Sequence, residues 1–108
     1  MRVSNEVLLS AGDMSQATLT STALNINQVA MMAIQAVFTG APVGSLKFQA
    51  SLDNVTFTDL ASPSAVAISA AGSSIVNIPD TAYNYIRCVY TKTSGTGALT
   101  IVANTKGF

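Results

Sequence analysis

Apolar and polar residues alternate in short runs along most of the chain, and turn-forming residues interrupt these runs about every 8 to 12 positions. In residues 46–51, Leu, Phe and Ala alternate with Lys, Gln and Ser, which is the period of a half-buried strand. A second alternating run, residues 55–58, follows Asp53 and Asn54, two residue types that tolerate the left-handed conformation of a tight turn. The pattern predicts a β-hairpin across these two runs.

The longest β-favouring segment, residues 83–93, is rich in aromatic and branched side chains. Its even-numbered residues share one face, which we expect to point inward: Ile86, Cys88 and Tyr90. Gly95 and Gly97 then supply positive φ angles for a return of the chain, and residues 99–103 alternate again. We therefore predict a second hairpin formed by these two strands.

The first 40 residues carry a weaker pattern. Residues 17–22 and 24–27 resemble short strands, whereas residues 29–38 form a continuous apolar run whose Ala, Met and Gln would also suit a helix. We expect a strand for 29–38, because the run leads directly into a Gly-Pro turn and has no helix-capping residues. Residues 1–14 show little periodicity and are a candidate N-terminal arm that orders against a neighbour, followed by a single domain over 15–108.

The composition agrees with one small all-β domain and limits its partners. The chain has 108 residues, of which 49% are hydrophobic and only 9% are charged, against about 25% in an average domain. Five basic and five acidic residues cancel, which argues against nucleic acid and anionic membranes as partners. A monomer of this mass should expose about 5,600 Å². So few charges on that area favour a surface that is covered by copies of itself or by a larger assembly.

Few residues are suited to catalysis or to metal binding. The chain has no His, no Trp and one Cys, so we expect no enzyme activity, no cofactor and no metal site. We interpret Cys88 as a small buried apolar residue. Asp53, Asn54 and Asp59 bring oxygens to one hairpin but too few for calcium, and the glycine-rich residues 94–97 lead into a strand rather than into the helix that a phosphate loop requires.

One group of residues remains a candidate contact patch. Tyr83, Tyr85 and Arg87 alternate along one predicted strand and would share a face, where aromatic rings and a guanidinium could stack on a sugar or a base. The same arrangement also suits packing of the sheet face or a contact between subunits. The patch is therefore the part of the chain to test for ligand binding.

No targeting or membrane-spanning segment is predicted. The N-terminal residues are interrupted by Ser, Asn, Glu and Asp and so lack the apolar core of a secretory signal. The longest apolar stretch, residues 29–34, is much shorter than the roughly 20 residues of a membrane helix. We expect the protein to be made in the cytoplasm of a host cell.

Four segments together resemble small bacteriophage virion structural proteins. They are residues 35–40 (QAVFTG), 44–51 (GSLKFQAS), 53–59 (DNVTFTD) and 85–97 (YIRCVYTKTSGTG). The same strand and hairpin pattern is similar to the jelly-roll domains of the discoidin and galactose-binding type, although the Trp common in those domains near Phe57 is absent. The phage resemblance implies a decoration protein, a minor capsid protein or a fibre subunit, located in the virion.

The sequence thus predicts an all-β fold, a single antiparallel β-sandwich of jelly-roll type. Its expected function is structural, through self-association into a closed homo-oligomer such as a trimer and through docking on other virion proteins such as the major capsid protein. The alternative is a carbohydrate-binding module of a phage or bacterial surface protein, with Tyr83, Tyr85 and Arg87 as its contact patch.

Overall fold

The computed structural model describes residues 2–26, 29–60, 64–78 and 83–107. Within these ranges the chain forms ten β-strands and no helix. The strands are β1 (Arg2–Asp13), β2 (Thr18–Thr20), β3 (Leu24–Asn25), β4 (Val29–Phe38), β5 (Val43–Ser51), β6 (Thr58–Asp59), β7 (Val66–Ile68), β8 (Gly72–Ile78), β9 (Tyr85–Ser94) and β10 (Ala98–Gly107).

The strands form two antiparallel sheets. The first sheet has the order β1-β10-β4-β8; the second has the order β2-β9-β5-β6, and β3 and β7 also pair with β9 and β5. Most consecutive elements lie in different sheets, so the chain repeatedly crosses from one sheet to the other. Two interlocked Greek keys of this kind define a jelly roll, and the predicted fold class is confirmed.

The core lies between the sheets and is built from alternate residues of the long strands. The predicted inward face of β9 is confirmed, because Ile86, Cys88 and Tyr90 are all fully buried. They pack in one cluster with Phe48 of β5 and Ile101 of β10. Period-two alternation thus places the apolar side of each sheet against the other.

Residues 29–38 form strand β4, as expected. This strand is central in the first sheet, where it pairs with β10 on one side and β8 on the other. Its even-numbered residues from Met32 to Phe38 are buried, whereas Met31 and Val37 are exposed on the outer side. The run is almost entirely apolar, because outward positions such as Met31 and Val37 also carry apolar side chains and only Gln35 is polar. Its period was therefore hidden in the sequence.

The N-terminal segment differs from the arm that its weak periodicity suggested. Residues 2–13 form β1, which pairs with β10 of the same chain. Register shifts occur between Val7 and Leu9 and between Leu9 and Gly12, and Ala11 has a positive φ of 48°. These bulges interrupt the alternation that a sequence pattern relies on, which explains why the strand was not predicted.

The second predicted hairpin is wrong in its pairing. Both strands exist, and Gly95 has the expected positive φ of 81°, whereas Gly97 does not have a positive φ. However, β9 pairs with β5 and β10 pairs with β4, so the turn carries the chain from the second sheet to the first. A period-two pattern locates strands but does not specify how the strands pair.

The first predicted hairpin is correct in its pairing but has a wider loop. Strand β5 pairs with β6 through Gln49 opposite Asp59 and Ala50 opposite Thr58. Residues 52–57 form the connection rather than a tight two-residue turn, although Asn54 has the expected positive φ of 60°. Val55 lies in this loop and is 80% exposed, so the second strand is Thr58–Asp59 rather than the predicted residues 55–58.

Candidate interaction surfaces

The outer side of the second sheet carries a hydrogen-bonded group of charged and aromatic side chains, which we call the polar face. It is formed by Lys47, Gln49, Phe57, Asp59, Tyr85 and Arg87. The register explains this grouping, because Gln49 lies opposite Arg87 on one side and opposite Asp59 on the other. Three of the chain's ten charged residues therefore meet on one side of the molecule.

Arg87 is held by two partners within the chain. Its Nε donates a hydrogen bond of 2.8 Å to Oε1 of Gln49. The carbon of its guanidinium lies 3.9 Å from the centre of the Phe57 ring, which is the geometry of a cation–π contact. The 52–57 loop is thus tied to the face of the sheet through Phe57.

The network continues from Gln49 to the edge of the sheet. Gln49 Nε2 donates to Oδ1 of Asp59 at 2.7 Å, and Lys47 Nζ lies 3.4 Å from Oδ2 of the same carboxylate. The Gln49 hydrogen bond and the Lys47 contact lower the pKa of Asp59. Because these groups are exposed, the ion pair stabilises the fold only weakly, and its main effect is to order the surface.

The structure brings two of the three predicted contact residues together. Tyr85 and Arg87 both point outward from β9, since Ile86 between them is buried in the core. Tyr83 precedes the strand and packs against the core cluster. The predicted patch is therefore divided, with Tyr85 and Arg87 on the polar face and Tyr83 turned toward the interior.

Tyr83 lines a cavity at the end of the sandwich. The cavity has a volume of about 700 Å³. Its other lining residues come from the end of β5, the 52–57 loop and β6: Ala50, Ser51, Leu52, Asp53, Thr56, Thr58, Asp59 and Leu60. The Asp53 and Asp59 carboxylates in it accept hydrogen bonds from neighbouring groups.

Asp53 organises the loop beside this cavity. Its Oδ1 accepts hydrogen bonds from the backbone N–H groups of Thr56 and Val55 at 2.9 Å each and from the Ser51 hydroxyl at 2.8 Å. These bonds, that of Thr56 first, lower the pKa of Asp53 to about 2. The carboxylate that looked like a candidate calcium ligand therefore serves to fold its own loop.

The described residues offer no grouped metal ligands. Nowhere within 2–26, 29–60, 64–78 or 83–107 do three or more His, Cys, Asp or Glu residues come close enough to hold a metal ion. In the same part of the chain there is no helix long and apolar enough to cross a membrane.

Cys88 has the environment of an unreactive thiol. It is fully buried in the core and unpaired, and burial raises its pKa to about 12. The thiolate is the reactive form of cysteine, so this side chain acts as a small apolar residue, as predicted.

The outer side of the first sheet has the opposite character, and we call it the apolar face. It consists of alternate residues of β4 from Met31 to Val37, of β8 from Ser73 to Asn77 and of β10 from Thr100 to Lys106, with Asn5 and Val7 of β1. Large apolar side chains are exposed on it, namely Val7, Met31, Val37 and Ile75. They lie among uncharged polar side chains such as Gln35, Asn77 and Asn104. Lys106 is the single charged side chain among these outward positions.

Sequence reasoning identified neither face as a unit. Gln49 and Asp59 join the polar face through cross-strand register, and Phe57 joins it through the path of the 52–57 loop. A period-two pattern specifies neither. The four exposed apolar residues of the other face come from three separate strands, β1, β4 and β8, and the sequence pattern assigned them to no surface. A signal was nevertheless present, because a chain with so few charges must expose some apolar side chains.

No protein-family model matches this chain, and no curated protein sequence matches it. Similarity is found among solved structures. The structure of YomS, a protein derived from the SPBc2 prophage, superposes with a TM-score of 0.67 over 96% of this chain and 92% of that chain, at 10% identity. The PBSX exported protein XepA gives 0.70 over 97% of this chain and 37% of that chain, at 12% identity.

A carbohydrate-binding module also shares the fold. The family 29 module CBM29_1 from Piromyces equi superposes with a TM-score of 0.57 over 98% of this chain and 93% of that chain, at 10% identity. At these identities the similarities establish the fold alone. The chain therefore has the jelly-roll fold found in prophage-derived proteins and in a carbohydrate-binding module.

Proposed function

We propose that this chain is a structural component of a bacteriophage particle, which acts by self-association and by docking on other virion proteins. A decoration protein, a minor capsid protein and a fibre subunit are the forms that this function would take. The partners are further copies of the chain and virion proteins such as the major capsid protein, and the site of action is the virion.

The observation that carries the proposal is the composition of the molecular surface. The molecule exposes 5618 Å² and has ten charged residues, about one per 560 Å². Four large apolar side chains project from the outer side of the first sheet: Val7, Met31, Val37 and Ile75. Exposed apolar side chains on one face are typical of interaction sites.

The fold supports the same function. Jelly rolls are the architecture of many viral capsid domains and of lectins, and the similarity to the SPBc2 prophage-derived protein YomS adds the connection to phages. Docking through neutral surfaces needs no catalytic group, only an area of about 1,000 Å² or more with good complementarity.

Quantitative mass spectrometry of purified particles tests this proposal. Particles from the phage or prophage that encodes the chain would be purified on a density gradient and digested. We expect peptides of this chain at a fixed ratio to the major capsid protein in every gradient fraction that contains particles. A chain found in the lysate but absent from those fractions would overturn the proposal.

A carbohydrate-binding module is the second candidate, and the polar face favours it. Tyr85 presents an aromatic ring beside the Arg87 and Gln49 side chains on an exposed sheet, and rings of this kind stack on sugars. The similarity to CBM29_1 gives this candidate structural support. Arg87, however, is already held by Gln49 and Phe57, which leaves Tyr85 as the principal contact.

A glycan array with purified protein separates the two candidates. Selective binding that Tyr85→Ala abolishes would establish the module. Thr91→Ala is the matched control, because Thr91 is exposed on the same sheet and lies opposite Ser45, away from Tyr85. Absence of binding by the unmodified protein would leave the particle component as the function.

A further inference from the structure

The exposed apolar side chains of the described residues are not evenly distributed. Val7, Met31, Val37 and Ile75 belong to the apolar face, whereas Leu52 and Val55 lie in the 52–57 loop at the end of the other sheet. Ile75 is 68% exposed. Removing such groups from water is the main favourable contribution to protein association.

The β1 edge of the first sheet is poorly suited to association through an added strand. Strand β1 is one edge, and its two register shifts and the positive φ of Ala11 disrupt the straight row of backbone groups that an added strand would need. Ala11 N–H is already bonded to the Thr100 hydroxyl at 3.1 Å. On the β1 side, association through outward side chains is therefore favoured over addition of a strand to the edge.

The apolar face has a hollow toward one end and projecting side chains toward the other. A depression of about 170 Å³ lies around Met31, Ala33, Asn77, Asn104 and Lys106. Further along the strands, Val7 and Ile75 lie in one row across the sheet, on either side of Val102 and Gln35. The next row contains Val37.

We propose that two copies of this chain pack apolar face against apolar face about a two-fold axis. The axis lies in the plane of the interface and runs perpendicular to the strands. Rotation about it places the row that contains Val7 and Ile75 in each copy over the depression around Ala33 and Asn77 in the other copy. This inference rests on the proposed function, since it names the surface through which the particle component associates. It replaces the trimer considered from the sequence with an isologous pair.

Charge and area both fit a second copy as the occupant. The described outward side chains of the face include one charge, Lys106, which is exposed at the end of the sheet, so a strongly charged partner finds no complement there. Four strands spaced by about 4.8 Å and about 8 residues long cover roughly 500 Å². Two such faces bury about 1,000 Å² together, the lower limit for a specific interface.

Sedimentation velocity over a range of protein concentrations tests the pair. We expect a concentration-dependent monomer–dimer equilibrium for the unmodified chain. Ile75→Lys replaces the most exposed apolar side chain of the face with an ammonium group on the edge strand β8. It should weaken the dimer at least about tenfold, since apolar contact is lost and the charge meets no acidic side chain on the facing surface. Val55→Lys is the matched control, because Val55 is even more exposed but lies in the distant loop, and its dimer should be unchanged.

Each remaining outcome has a separate meaning. Circular dichroism and the melting temperature of Ile75→Lys must match those of the unmodified chain, which shows that the fold is intact. A chain that stays monomeric at all concentrations, or equal weakening by both lysine variants, overturns the pair. If the chain is monomeric and Ile75→Lys removes it from particles, the face binds another virion protein, so this inference fails while the proposed function stands. If the chain forms the expected dimer but is absent from particles, this inference stands and the proposed function fails.

Discussion

At the scale of single residues, Tyr90 stands out among the described residues because its buried hydroxyl lacks a hydrogen-bond partner. Its ring is fully buried in the core, and its hydroxyl has no hydrogen-bond partner among the described residues. Gly44 lies directly against it, since a Cβ on Gly44 would stand 2.8 Å from the hydroxyl oxygen. The ring stabilises the core through its apolar area, whereas the buried hydroxyl opposes folding.

We therefore expect Tyr90→Phe to be neutral or stabilising. Removing an unpaired buried hydroxyl while keeping the ring should leave the free energy of unfolding unchanged or raise it by up to about 1 kcal/mol. Urea denaturation measures the difference. A loss of more than about 1 kcal/mol would mean that the hydroxyl has a partner, such as a buried water molecule.

Asp53 gives the 52–57 loop a dependence on pH. Its pKa is lowered to about 2 from an ordinary value of 3.8 by the hydrogen bonds from Thr56, Val55 and Ser51. A carboxylate with a lowered pKa in the folded state stabilises the fold above its unfolded pKa, and that stabilisation is lost as the pH falls from about 4 to about 2.

Comparison with Asp53→Asn isolates this effect. The free energy of unfolding of the unmodified chain should fall more steeply over this pH window than that of the variant, whose side chain does not titrate. Other carboxylates with lowered pKa values, such as Asp13 and Asp59, are the same in both proteins and cancel. Parallel pH profiles would show that the three hydrogen bonds do not persist in solution.

At the scale of elements, the fold depends on two chain crossings that pack against each other. The turn between β9 and β10 approaches the turn between β4 and β5 so closely that a Cβ on Gly97 would lie 1.9 Å from the Thr39 carbonyl oxygen. The backbone N–H of Ala41 donates to the carbonyl of Thr96 at 2.9 Å, and that of Thr39 donates to Ala98 at 3.0 Å. The crossing therefore requires glycine for its lack of a side chain.

Gly97→Ala should destabilise the protein by about 2 kcal/mol or more, because the backbone of one turn must move away from the other. For a domain of this size the melting temperature would fall on the order of 10 °C. Gly72→Ala is the control, since a Cβ there meets only the Phe38 ring at an ordinary 3.6 Å. Similar melting temperatures for the two variants would contradict the close approach of the turns.

The sequence predicted the strands better than their arrangement in the sheets. The reason is that burial of one side of a strand leaves a local pattern, whereas strand pairing does not. Burial of one side of a strand leaves a period-two pattern, so β5, β9 and β10 were located and the inward face of β9 was assigned correctly. Pairing partners depend on contacts between distant residues, so β9 and β10 were wrongly joined in a hairpin. Bulges in β1 removed the local pattern altogether.

The candidate site was predictable only in part, for the same reason. Tyr85 and Arg87 share a face because they are two residues apart on one strand. Their neighbours Gln49 and Phe57 reach them from β5 and its loop, and no local pattern indicates that approach. Tyr83 was grouped with them on spacing alone, but the strand begins after it and its ring packs toward the core.

At the scale of the whole molecule, the two sheets present different surfaces. The polar face holds Arg87, Lys47 and Asp59 in one network, whereas the apolar face has a single charge and four exposed apolar side chains. An assembly that buries the apolar face leaves the polar face available to solvent or to a further partner. The central claim is that neighbouring proteins complete the surface of this chain through contacts that are largely uncharged.

The salt dependence of association with particles tests that claim most directly. Purified particles would be incubated at about 0.1 M and at about 1 M NaCl, over which the Debye length falls from about 10 Å to about 3 Å, and then pelleted, and the chain would be quantified in pellet and supernatant. Because the contacts are predicted to be largely uncharged, we expect the same amount of chain in the pellet at both salt concentrations. Release of the chain from intact particles as the salt concentration rises would show that charged contacts hold it there, and would contradict the account.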